Sequence, residues 1–140
     1  MKTATSFNFL KKILGISLNK AKEENLIESI QSNLILILNT RQGMTEAIPD
    51  FGLPDIHQVY NALPKSLDGL GEEIRRTISK YEPRLQNVTV RFLNKASDTF
   101  RASYHIVGEV REGSSISKIT FQTDVIRDGS ANAYLVNQYQ

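Results

Sequence analysis

The residues best placed to do chemistry in this sequence are Glu82, Pro83 and Arg84, a carboxylate and a guanidinium on either side of a proline within "KYEPRLQNVTVRF" (Lys80–Phe92). A glutamate of this kind could be the general acid of a glycosidase. That chemistry needs two carboxyls facing each other across a bond, one of them kept protonated. The positive charge of Arg84 works in the opposite direction. The other aspartates and glutamates fall on polar helix faces or in turns, where nothing pairs them across a cleft. His57 and His105 sit on different predicted elements, with no i,i+4 partner, and the chain has no cysteine, so no metal site is expected. Gly69-Leu70-Gly71 mimics the start of a dinucleotide loop, but it follows no strand and lies in no βαβ unit. There is no Walker lysine motif and no nucleophile elbow. The sequence therefore predicts a protein that is not an enzyme, with no catalytic residues, no cofactor and no metal.

Two other readings of Glu82-Pro83-Arg84 stay open on residue type alone. Proline disfavours helical geometry in the residue before it and has no N–H, so the triplet can be a plain helix stop with Arg84 near the negative end of the helix dipole. Alternatively, Glu82 and Arg84 project to one side of an extended backbone and make a rigid fork of both signs. A fixed arginine can grip a carboxylate or carbonyls in two-pronged fashion.

Around the triplet, the periodicity outlines the elements. Leu26, Ile27, Ile30, Leu34, Ile37 and Leu38 mark a helical face between Lys22 and Leu38, with Glu23, Glu24 and Glu28 in its first half. "LILIL" (Leu34–Leu38) is apolar all round and predicts a last turn that is fully enclosed. Asn39–Asp55 is a long connection rich in glycine and proline, expected to buttress the helices or to touch a partner. Asp55 could cap a short helix carrying Ile56, Val59, Tyr60 and Leu63 and ending at Pro64. A second amphipathic helix opens at Ser66, with Leu67, Leu70, Ile74, Ile78 and Tyr81 inward and Glu72 paired with Arg76. Beyond Arg84 the period becomes two: Val88–Phe92, Phe100–Val110 and Ile119–Val125 alternate, and "EGSS" and "RDGS" supply turns. "ANAYLVNQY" reads as a last strand. The expected fold is α+β, N-terminal helices packed on a C-terminal antiparallel meander of three to four strands.

Composition agrees. The 140 residues form one domain of ordinary size (21–140), preceded by a short amphipathic docking segment (1–20) in which Phe7, Leu10, Ile13 and Leu14 fall at helical spacing. Lys11 and Lys12 interrupt what would otherwise resemble a signal peptide. Seventeen basic against fifteen acidic residues leave +2, too little to track phosphates, which excludes nucleic acid as a first expectation. No run approaches the roughly 20 apolar residues of a membrane span. The lack of cysteine suits a reducing cytoplasm.

"LILNTRQG" (Leu36–Gly43), "PDFGLPDI" (Pro49–Ile56) and "YEPRL" (Tyr81–Leu85), in this order and spacing, resemble the TssE family of type VI secretion baseplate subunits. That family is similar to the sheath-initiating baseplate wedge protein of contractile phage tails. The resemblance implies a structural part that binds wedge subunits (TssF, TssG and TssK type) and templates sheath subunits (TssB and TssC type). It implies partner contacts at Glu82, Pro83 and Arg84, and a cytoplasmic location at the inner face of the cell envelope. A sheath strand would add to an open margin at Ser115–Arg127 or Ala131–Gln140. Proteins of this family have often been labelled lysozyme-like, so a peptidoglycan hydrolase is the rival reading. The equivalent part of a phage-like particle is another.

Overall fold

The computed structural model describes residues 25–44, 46–62, 66–93 and 101–139. The docking segment at 1–20, the early helical positions Lys22, Glu23 and Glu24, Leu63 and Pro64, and the strand position Phe100 lie outside these. Helices α1 (Leu26–Asn39), α2 (Ile56–Asn61) and α3 (Ser66–Tyr81) precede strands β1 (Gln86–Phe92), β2 (Arg101–Glu112), β3 (Ser115–Ile126) and β4 (Tyr134–Tyr139). The strands form one antiparallel sheet in chain order, β1-β2-β3-β4, with helices on one face: an α+β domain.

Helices α1 and α2 start where their caps dictate. The Asn25 side chain accepts from the N–H of Glu28 at 2.8 Å, and that of Asp55 from His57 at 2.9 Å. Ile30, Leu34, Ile37 and Leu38 of α1 are buried, but its last turn is not fully enclosed, because Ile35 is 38% exposed. Five successive residues, each turned about 100° from the last, cover the whole circumference, so one must face away from the core. In α3, Leu70, Ile74 and Ile78 face inward and Tyr81 is half-buried. The outer face pairs Glu72 with Arg75 and Glu73 with Arg76, three residues apart, in place of the expected Glu72–Arg76 pair. Both spacings bring side chains together on a helix, and Glu73 has taken Arg76. Gly71 lets the Tyr104 ring approach the helix: a Cβ there would stand 3.1 Å from Tyr104 Cε1.

Strand alternation builds the other half of the core. Ile106 pairs with Phe121 and Ala102 with Val125, all four facing the helices, while His105, Gln122, Glu109 and Lys118 face the opposite side.

The long connection after α1 packs on the helices. Leu53 N–H donates to Thr40 O at 2.8 Å and Gln42 N–H to Leu53 O at 3.0 Å. Phe51 is buried against Ile37 and meets the edge of Tyr81 at 4.9 Å between ring centroids. Asp50 accepts from Lys80 and Tyr81, tying the loop to the end of α3. The hydrogen bond from Lys80, then that from Tyr81, pulls the Asp50 carboxyl down to about 2. Gly52 has φ +105°, and a Cβ on it would lie 2.3 Å from Thr40 O.

Gly52→Ala therefore combines strain with a clash against backbone, and should lower stability by about 2 kcal/mol or more, read from the urea midpoint. Asp50 makes a second, pH-dependent prediction. A depressed carboxyl contributes stability above its unfolded value of about 4 and loses it as pH falls toward about 2. Urea titrations from pH 5 to pH 2 should show Asp50→Asn losing less stability across that window than the natural chain.

Candidate functional site

The α3–β1 junction is where helix, sheet and charge meet. Glu82 N–H makes the last helical bond, to Ile78 O at 2.8 Å, and Pro83 cannot continue it. Leu85 N–H then donates to Glu82 O at 3.2 Å, and Leu85 is buried. The triplet thus lies in a tight turn, not on extended backbone as the alternation argument supposed. The chain has to reverse within these residues to bring Leu85 into the core.

The turn still brings the two charged side chains together. Glu82 Oε1 accepts from the Arg84 backbone N–H at 3.1 Å and from Arg84 Nε at 2.9 Å. Oε2 accepts from Arg84 Nη2 at 2.8 Å and from Asn33 Nδ2 at 2.9 Å. Arg84 Nη1 reaches the hydroxyl of Ser29 at 2.8 Å, and Asn33 Nδ2 also donates to Tyr81 O at 3.2 Å. Asn33 Oδ1 is buried without a hydrogen-bond partner among the described residues. Glu82 is 1% exposed and the Arg84 side chain 14%, whereas Pro83 is exposed. Four donors converge on the carboxylate and no substrate could reach it, so this geometry supports an internal strut and not a general acid. The partners Ser29 and Asn33 were not singled out in the sequence. The only local signal is that Ser29 and Asn33 are polar residues one turn apart, and Glu28, Gln31, Ser32 and Asn39 of the same helix are polar too.

The other chemical candidates do not converge. His57 is on α2 and His105 on β2, and no group of three or more His, Cys, Asp and Glu gathers among the described residues. Gly69-Leu70-Gly71 is inside α3. An open hollow of about 310 Å³ is lined by Arg41, Gln42, Asp55, Ile56, His57, Asp128 and Gly129. Arg41 in it donates to Leu38 O at 3.1 Å, Thr40 O at 3.3 Å and Gly129 O. No helix among the described residues is long and apolar enough to cross a membrane.

The sheet offers a second surface. β3 is bonded to β2 on one side and β4 on the other, so Ser115–Arg127 is an interior strand and not a margin. β4 is one of the two edge strands, β1 being the other, and is exposed along its whole length, with Tyr134, Leu135, Val136 and Tyr139 all open to solvent.

A family model described as "Baseplate wedge protein gp25" matches residues 24–114. The baseplate wedge protein gp25 of Enterobacteria phage T4 is 28% identical over 86 residues, which are 61% of this chain and 61% of the phage protein. Among solved structures, the baseplate complex from the type VI secretion system contains a chain that matches with a TM-score of 0.54 at 25% identity, over 82% of this chain and 97% of that one. A Geobacter sulfurreducens protein described as a candidate tail lysozyme matches with a TM-score of 0.51 over 83% of this chain and 96% of its own. At 18% identity this last likeness carries the fold alone.

A strut of this kind has a measurable signature. Glu82→Ala leaves the Arg84 guanidinium short of its buried partner and should cost about 3 kcal/mol or more in urea unfolding. Replacing Glu82 and Arg84 together by methionine should cost clearly less than the sum of the two single changes. The family match takes in α1, α2, α3 and the whole of this junction; the chain belongs to the gp25 baseplate wedge family.

Proposed function

We propose that this chain is a structural baseplate subunit of a type VI secretion machine, without catalytic activity, working in the cytoplasm at the inner face of the envelope. It would bind wedge subunits (TssF, TssG and TssK type) at the Glu82-Pro83-Arg84 junction, and offer β4 to a sheath subunit (TssB or TssC type). The observation that carries this reading is β4 itself. An outer strand with its backbone groups unpaired on one side and four large apolar side chains in solvent is an aggregation hazard for a lone protein, and a ready template for an added strand. At the junction, the buried Glu82 strut would hold Pro83 and the outer part of Arg84 rigidly at the surface, so partner contacts there would run through those two residues. The likeness to a chain of a type VI baseplate complex supports secretion over a phage-like particle.

The test uses substitutions that leave the core alone. Leu135→Asp with Tyr139→Asp should abolish sheath nucleation in cells, seen as loss of fluorescent sheath foci, while the protein stays folded and co-purifies with wedge subunits. Pro83→Glu should weaken that co-purification. Normal sheath foci in the β4 variant, or Glu82-dependent lysis of peptidoglycan by the pure protein, would sink the reading.

A further inference from the structure

Where β4 begins, its outer margin is already occupied by side chains of α1. Ala131 stands opposite Val125 in an antiparallel bridge. The bonds to β3 around it run from Ile126 N–H to Ser130 O at 2.8 Å and from Asn132 N–H to Asp124 O at 3.4 Å. The N–H and C=O of Ala131 itself therefore point away from β3, toward the open side. Asn39 meets both of them. Ala131 N–H donates to Asn39 Oδ1 at 3.0 Å, and Asn39 Nδ2 donates to Ala131 O at 2.8 Å. A primary amide carries one acceptor and one donor side by side, so it stands in for the peptide group of a neighbouring strand. Two residues on, Gln31 Nε2 donates to Ala133 O at 2.8 Å. The clamp is itself anchored: Asn39 Nδ2 also reaches Ile35 O at 2.8 Å, and Arg41 joins Leu38 O and Thr40 O to Gly129 O in the preceding turn.

The same register runs on into β4. Leu135 is opposite Phe121, four residues beyond Ala131 on one strand and four before Val125 on the other, so no shift intervenes. By the two-residue alternation, Leu135 is the next position whose backbone groups face outward. The register then shifts between Thr120 and Phe121.

We propose that Asn39 and Gln31 are a register stop on the β4 margin: they fill both outward backbone groups of Ala131 and the carbonyl of Ala133, so that a strand added from a partner begins at Leu135. This deepens the reading of β4 as a strand-accepting margin and rests on it. Register matters because a one-residue slip of an added strand moves every one of its side chains to the wrong face.

The experiment is amide-resolved hydrogen exchange on the full chain, alone and in the partner complex purified from its own cells. In the isolated chain, Ala131 N–H should exchange slowly, and about fivefold faster in Asn39→Ala with Gln31→Ala, the loss expected for a hydrogen bond worth roughly 1 kcal/mol. Should that variant unfold, Asn39→Leu alone, of similar size but with neither acceptor nor donor, should show the same loss of slow exchange at Ala131 N–H. Equal Ala131 exchange in wild type and both Asn39→Ala and Asn39→Leu overturns the proposal. In the complex, new protection should begin at Leu135 in the wild type and extend back to Ala131 when both amides are removed. A wild-type complex whose partner strand already pairs at Ala131, with Asn39 displaced, overturns the register stop. No new protection anywhere on β4, with the Asn39 contrast intact in the free chain, overturns it by a different route: the margin accepts no strand, and Asn39 is a clamp of the fold alone.

Discussion

A carboxylate removed from water has to be answered by donors, since the penalty for an unanswered buried ion is on the order of several kcal/mol. Glu82 sits in that position where α3 turns into β1, and the answer comes from two directions. Arg84 supplies three of its N–H groups from the same turn, and Asn33 supplies one from α1, with Ser29 of α1 holding the far side of the guanidinium. The helix end, the strand start and the first half of α1 thus share one set of bonds. Proline between the two charges removes the freedom that would let the pair come apart into solvent. The helix layer cannot slide across the sheet without uncovering the carboxylate, so the rest of the architecture inherits its geometry from this turn.

Helix α1 carries that constraint to the other end of the molecule. Its apolar face, Ile30, Leu34, Ile37 and Leu38, fills the core, but its polar residues are equally engaged. Ser29 and Asn33 hold the α3–β1 junction. Gln31, Asn39 and the following Arg41 hold the turn and the residues that lead from β3 into β4. The Asn39–Ile56 connection closes against the same helix end through Thr40, with Gly52 shaped to let Thr40 O approach. One helix therefore fixes two places on the surface, the junction with its exposed proline and the outermost strand, at a set separation.

Much of this was legible in the sequence. The change of period from 3.6 to two after Arg84 placed the helices and the strands, and the charges flanking Pro83 foretold their pairing. What could not be read lies at long range. Alternation in Ser115–Arg127 is the same whether the strand is interior or marginal, because it reports the two faces of a sheet and says nothing about its neighbours in the plane. The burial of Glu82 depends on Asn33 and that of Arg84 on Ser29, 49 and 55 residues away in the chain, and no local pattern encodes such a meeting. The backbone at Glu82-Pro83-Arg84 was misjudged for a related reason: the turn is set by where Leu85 must go. Ile35 escaped the core by simple helical geometry, a consequence that "LILIL" already contained.

The outermost strand shows how the fold treats a hazard that it keeps. Proteins commonly protect a free margin with charge, above all lysine, with proline, or with a covering element. Neither charge nor proline stands in Tyr134–Tyr139, whose sequence is YLVNQY, and among the described residues its apolar side chains lie open. The restraint is of another sort. The strand is six residues long, the register shift between Thr120 and Phe121 interrupts its pairing to β3, and just before it amides from α1 fill both outward groups of Ala131 and the carbonyl of Ala133. Each of these shortens or positions the free stretch without abolishing it. Charge or proline would exclude every incoming strand alike, whereas a short margin with a fixed starting point discriminates among them by length and phase. On the proposed reading that is the property required, since a template for an ordered sheath has to take up one strand in one register and refuse the rest.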